Sequence, residues 1–270
     1  MTKEFTSTRI SVERDANIYV RIHGTGKPVI FVPGWTFDHT AFEKQIDEIP
    51  SGYRYVLYDP RGHGRSTSSF NGNTYEQHGR DLNTLMTQLD LTEATLVAWS
   101  YGANAAYSYL RDFGFDRVEA LVILDEPPKP ASDETIAWGE GDIWTLGTYL
   151  GMLGSGHGEF MSGYAPQMFS RELSPEELDH IIGMTEKTPG FVAASLFANG
   201  AFADWRDVLT AASKTIRVWN VVRSEHEAVA TEWLNANAPG SKISIYTSHM
   251  MMWEFPDRFN TELCEFLVGS

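Results

Sequence analysis

Four runs in the first half of the chain are apolar at consecutive positions rather than alternate ones: PVIFVPG (28–34), RYVLYDP (54–60), TLVAWS (95–100) and ALVILDEPP (120–128). A strand with two apolar faces must be covered on both, which is the condition of a parallel sheet with helices above and below. The intervening segments supply such helices. In YEQHGRDLNTLMTQLDL, Leu82, Leu85, Met86 and Leu89 recur at helical spacing and make one apolar side. This alternation predicts an α/β fold built on a doubly wound, mostly parallel sheet. Ahead of it, RISV and NIYVRIHG flank ERDA and predict an antiparallel hairpin.

The alternation stops near Pro128 and resumes near Thr215, with IRVWNVV (216–222), KISIYT (242–247) and a last helix from about Pro256. Between them lie helical patterns without strands. SPEELDHIIGM opens with Ser174 as N-cap, Pro175 at the first helical position and Glu176 and Glu177 in the first turn. The predicted organisation is a core of residues 1–130 and 206–270 with a helical cap at 131–205. Trp138, Trp144, Met152, Met161, Met168 and Phe197 make that cap rich in aromatic and Met side chains. Most would fill its own core, and Trp138 is a candidate for contact with a substrate.

At 270 residues, 42% of them hydrophobic, the chain has material for one large domain with an insertion. A net charge of -15 argues against a nucleic-acid partner or an anionic membrane surface, because nothing would offset the phosphate repulsion. The single cysteine, Cys264, rules out a disulfide framework or a cysteine metal site. It sits among Phe259, Leu263, Phe266 and Leu267 at helical spacing and reads as a packing residue. MTKEFTSTRI is too polar for a signal peptide and no apolar run approaches membrane length, so a cytoplasmic location is expected.

The stretch LVAWSYGAN (96–104) takes an apolar strand straight into helix-forming residues at Ser100. So sharp a bend strains the residue at its apex and needs small neighbours, here Ala98 and Gly102, in an A-x-S-x-G version of the nucleophile elbow. It lifts the Ser100 hydroxyl clear of the backbone over the start of a helix. A serine hydroxyl is a poor nucleophile without a base beside it. His249, just beyond the last strand in SHMMMWEFPDRF, is the candidate. An acyl transition state also needs two N–H donors. Tyr101, after the serine, and Trp35, in the FVPGWTFDH loop, are placed to give them. Phe37, Trp99 and Met250 are further candidates for lining a substrate pocket; Trp99 reads equally well as buried structure.

These features, with DPRGHGRS (59–66) and PDRFNTELCEFL in the closing helix, resemble the α/β-hydrolase fold from about residue 20 to the C-terminus. In that family DPRGHGRS mostly holds a turn, so Asp59 and His63 are not assigned to catalysis. The family's usual acid turn reads VVRSEHEAV here, with His226 where the aspartate is expected and Glu225 and Glu227 out of register. A minority takes the acid from the end of the preceding strand, where this chain has Asp125. That subgroup resembles zearalenone-type lactone hydrolases and cofactor-independent quinolone dioxygenases. Glu126 is the weaker choice, since alternation would turn it to the other side.

The dioxygenase resemblance rests on PGWxxDHxxF, present as Pro33, Gly34, Trp35, Asp38, His39 and Phe42, and on Asp125 just before PPKP. It implies a His249–Asp125 base that deprotonates a hydroxylated N-heteroaromatic. The histidines expected at 37, 99 and 101 are Phe37, Trp99 and Tyr101 here, which favours hydrolysis. The sequence therefore predicts a serine hydrolase of a carboxylic ester or lactone with an apolar substrate, cyclic ones included, through an acyl-enzyme on Ser100 with His249 and Asp125. The Trp35 and Tyr101 amides would hold the oxyanion, and no metal or cofactor is needed. Cofactor-free oxygenation is the alternative, and a ligand receptor built on the same fold is the reading from another class.

Overall fold

The computed structural model describes residues 5–48, 50–153 and 157–269. β1 (Phe5–Glu13) and β2 (Ala16–Gly24) form the predicted antiparallel hairpin, whose inner face buries Ile10, Ile18 and Val20. The remaining strands, β3 (Lys27–Val32), β4 (Tyr53–Asp59), β5 (Ala94–Trp99), β6 (Val118–Leu124), β7 (Arg217–Arg223) and β8 (Lys242–Tyr246), run parallel to one another. The eight strands lie in the order β1-β2-β4-β3-β5-β6-β7-β8. All six residues of β5 are buried, as its uninterrupted apolar sequence requires.

The chain winds from β3 to β4 in one direction and from β5 to β6 in the other. Diverging connections leave a crevice at the carboxyl ends of β3 and β5, where open α/β sheets bind ligands. The residues that follow β3, β5 and β6 therefore open onto one place.

α1 (Tyr75–Gln88) starts at Thr74, whose hydroxyl accepts the Gln77 N–H, and buries Leu82, Leu85 and Met86. α2 (Gly102–Phe113) follows β5 after a two-residue turn. Between β6 and β7 come α3 (Ile143–Leu153), α4 (His157–Tyr164), a 3₁₀ turn at Ala165–Met168, α5 (Pro175–Gly183), α6 (Gly190–Ala201) and α7 (Arg206–Thr215). Ser174 caps α5 as expected, with Glu177 completing a reciprocal capping box. α8 (Glu227–Asn237), α9 (Met251–Glu254) and α10 (Pro256–Val268) complete the chain. Cys264, on α10, is half-buried, with its thiol 3.4 Å from the Glu48 carbonyl. Among the described residues no helix is long and apolar enough to cross a membrane.

Gly102 starts α2 hard against the end of β3. A Cβ there would lie 2.5 Å from the Pro33 carbonyl oxygen and 2.6 Å from that of Val32. Both are backbone atoms and cannot swing aside. Gly102→Ala is expected to cost about 2–3 kcal/mol by overpacking, a fall of roughly 5–10 °C in Tm. Differential scanning calorimetry reads this directly, and an unchanged Tm would contradict the close approach.

Candidate active site

Ser100 has φ 52°, a left-handed conformation that few non-glycine residues adopt. It is the first of the two residues between β5 and α2, and its N–H donates to the Leu124 carbonyl at 2.9 Å. The constraint of strand on one side and helix on the other holds this strain in place. Asp125 is in the same state, with φ 49° at the end of β6 and its N–H bound to the Val221 carbonyl at 2.7 Å.

His249 joins the two. Its Nε2 is 3.0 Å from Ser100 Oγ, and its Nδ1 is 2.5 Å from Asp125 Oδ2. The three side chains are all buried. The histidine loop is fastened from two sides. The Met168 carbonyl accepts the N–H groups of His249 and Met250 and the Ser248 hydroxyl, and Trp99 Nε1 donates to the His249 carbonyl at 2.8 Å. An imidazole fixed between a carboxylate and a hydroxyl can take the hydroxyl proton at Nε2 while Nδ1–H stays on the carboxylate.

Arg223, the last residue of β7, also holds Asp125. Its N–H donates to Oδ1 at 3.1 Å and its guanidinium pairs with Oδ2. Burial works against charge on Asp125, but the hydrogen bond from His249 and the charge on Arg223 outweigh it and keep the carboxyl below the usual range. Glu225 pairs instead with Arg223 at 2.8 Å and His226 at 3.4 Å, and Glu227 opens α8 in solvent.

The loop after β3 brings Trp35 beside the serine. Neither the Trp35 nor the Tyr101 backbone N–H is bonded within the described residues. Thr36, at φ 67°, donates its N–H to His63 Nε2 at 3.1 Å, and its carbonyl accepts the Thr188 hydroxyl. His63 Nδ1 bonds the Arg61 carbonyl, and burial lowers the ring's pKa to about 4, so it stays neutral and can accept at Nε2. The DPRGHGRS turn thus holds the Trp35 loop through His63. Asp38, His39 and Asp59 bring ligand-type atoms together, but Asp59 already accepts from the His39 ring at 2.6 Å and from the His39 and Arg65 N–H groups. Asp38 is bonded by Thr40. Those bonds tie the turn and leave little capacity for an ion.

Residues 27–159 match the family model described as alpha/beta hydrolase fold. The bromoperoxidase of Bacillus anthracis superimposes with a TM-score of 0.87 over 97% of this chain and 99% of that one, at 23% identity. The chain has the α/β-hydrolase fold. Among curated relatives, the non-heme chloroperoxidase CPO-A1 of Kitasatospora aureofaciens is 37% identical over 123 residues, 45% of this chain and 43% of that protein. The 2-heptyl-3-hydroxy-4-quinolone dioxygenase AqdC1 of Rhodococcus erythropolis is 28% identical over 97 residues, 36% and 35% of the two. The matches to these relatives span less than half of their length.

On this α/β-hydrolase fold, Ser100 and His249 open into a cavity of about 300 Å³. Trp35, Phe37, Trp99 and Tyr101 line it as expected. Trp99 satisfies both of its readings, being 1% exposed with its ring against Phe37 and His249. Tyr149, Phe160, Tyr164 and Phe197 close the cavity from the segment between β6 and α7. Two expectations are corrected. Trp138 is not among the lining residues, because its segment folds down beside α8 and the ring packs against Trp233 at 6.1 Å. Met250 is fully buried at the start of α9, and its side chain goes into the core. Glu140, Arg223 and His226 line the cavity and were not anticipated there.

Proposed function

We propose that this chain is a serine hydrolase of carboxylic esters or lactones. The observation that carries the reading is the continuous bonded series from Ser100 Oγ through the His249 ring to Asp125. Ser100 attacks the ester carbonyl while His249 Nε2 takes its proton. The oxyanion settles on the Trp35 and Tyr101 N–H groups. Collapse breaks the C–O bond and the leaving alkoxide takes the proton from His249, which leaves an acyl-enzyme. A water molecule, deprotonated by His249, then attacks the acyl carbon and releases the acid, and the proton returns to Ser100. In this route Asp125 fixes the imidazole tautomer and offsets its charge. The route needs no metal or cofactor, and the segment at 131–205 acts as an aromatic cap over the apolar part of the substrate.

A His249–Asp125 base could instead abstract a proton from a hydroxylated heterocycle that then reacts with O₂. The dioxygenase relative keeps that reading in view. Phe37 and Tyr101 have no ring nitrogen, and that of Trp99 already donates to the His249 carbonyl, so none is left for such a substrate. One assay separates these possibilities. With p-nitrophenyl acetate, the hydrolase reading expects one acid released per nitrophenol, no O₂ uptake, and loss of turnover after a serine-directed phosphonate. Stoichiometric O₂ uptake with a 3-hydroxy-4-quinolone, with no ester turned over, would establish the oxygenase. No turnover of either would favour a receptor.

A further inference from the structure

We infer that Glu140, backed by Glu126, is the recognition site for a positively charged nitrogen on the ester or lactone turned over at Ser100. The proposal deepens the hydrolase reading and depends on it for the reacting group.

Glu140 faces the same cavity as Ser100 and His249. Its backbone N–H is bound to the Pro130 carbonyl at 2.8 Å, which fixes it at that edge. Glu126 lies behind it, 1% exposed, and neither of its carboxyl oxygens has a hydrogen-bond partner among the described residues. The Tyr101 hydroxyl, on a buried side chain that also lines the cavity, lies beside Glu140 short of a formed hydrogen bond. The buried Tyr75 and Tyr107 hydroxyls, in the same neighbourhood, likewise have no hydrogen-bond partner among the described residues.

Charge is what this cluster lacks. Arg223 is the arginine of the site, and it is committed to Asp125 and Glu225. Burial and then the Glu140 charge push Glu126 well above the ordinary carboxyl range, so Glu126 takes a proton. Burial also raises Glu140, but less far, because His249, the Tyr101 hydroxyl and Arg223 pull against it, so of the two carboxyls the one on the cavity side ionises first. A neutral substrate would leave that charge offset only by Arg223, which Asp125 and Glu225 already share, and this is costly in a buried site. An anionic one would be repelled. An ammonium group would neutralise it.

The opposite walls suit the same group. Trp35 meets Phe160 and Phe197 edge to face, at 5.7 and 5.6 Å between ring centres, and Tyr149 meets both at 6.2 and 6.5 Å. Aromatic rings around a cavity attract an alkylammonium through their negative faces, and rings with one carboxylate do so more strongly than either alone.

The test uses two isosteric alcohols, choline and the uncharged 3,3-dimethylbutan-1-ol, bound to the full chain and measured by calorimetry or quenching of tryptophan fluorescence. Choline is expected to bind about tenfold more tightly. Glu140→Gln should bring the two within about twofold while still binding the neutral alcohol, which shows an intact cavity. Equal binding to the wild-type chain, binding of neither alcohol, or an undiminished choline preference in Glu140→Gln would overturn the proposal. Binding needs no turnover, so a failure of ester hydrolysis and a failure of this site are read separately.

Discussion

Ser100→Ala is expected to lower kcat/KM for a carboxylic ester by roughly 10⁴-fold or more, because it removes the atom that bonds the acyl group. The residual rate would come from the Trp35 and Tyr101 N–H groups and from binding alone. The variant should fold. Ser100 takes φ 52° because β5 and α2 force the bend, and alanine in that position carries a similar backbone strain. Its Oγ makes one side-chain bond, to His249. A Tm within a few degrees of wild type together with a dead esterase would therefore isolate the chemical role. His249→Ala should be about as damaging, and the double variant hardly worse, since residues that act as a unit are not additive. A Ser100→Ala enzyme that keeps substantial activity while His249→Ala is dead would transfer the mechanism to the His249–Asp125 pair and end the acyl-enzyme proposal.

Where local pattern and tertiary placement coincide, the sequence was readable. Continuous apolar runs marked the parallel strands because both of their faces are covered, and β5 is buried at all six positions. The bend at Ser100 was legible because A-x-S-x-G fits few conformations other than the one observed. Asp125 emerged by default, once the turn after β7 was seen to lack an aspartate. Glu126, the weaker choice for the acid, does not bond His249, but strand alternation is not what places it. Side chains alternate only while a strand continues, and β6 ends at Leu124, with Asp125 in a left-handed conformation. Glu126 is therefore buried behind Glu140 and is not itself among the residues that line the cavity. Arg223 gave no signal, because its contact with Asp125 joins positions 98 residues apart across two strand ends. Trp138 and Met250 show the same limit. Most of the cap's named aromatic and Met side chains are buried as composition predicts, Trp144 and Met152 excepted, but which of them face the cavity is decided by how α8 and α9 receive the segments carrying them.

Asp125→Asn should be the second large loss, about 10³- to 10⁴-fold in kcat, in a chain that still folds. As a carboxylate, Asp125 only accepts, so it keeps the imidazole proton on Nδ1, 2.5 Å away, and leaves Nε2 free to receive the proton of Ser100. An asparagine amide can turn its NH₂ towards Nδ1. The ring proton then moves to Nε2, where it faces the serine hydroxyl and cannot accept another. The charge that offsets the imidazolium disappears at the same time. Arg223 keeps a partner in Glu225, so the end of β7 should hold its place. Glu225→Gln and Glu227→Gln provide the contrast. Glu225 lines the cavity but pairs with Arg223 and His226 rather than with His249, and Glu227 is exposed, so each change should alter kcat by no more than about twofold. Steady-state rates of the three variants on one ester, with Tm measured alongside, check the assignment. Should Glu225→Gln match the loss in Asp125→Asn at an unchanged Tm, the acid of this site would lie after β7, and the strand-end aspartate would be a structural anchor for Arg223.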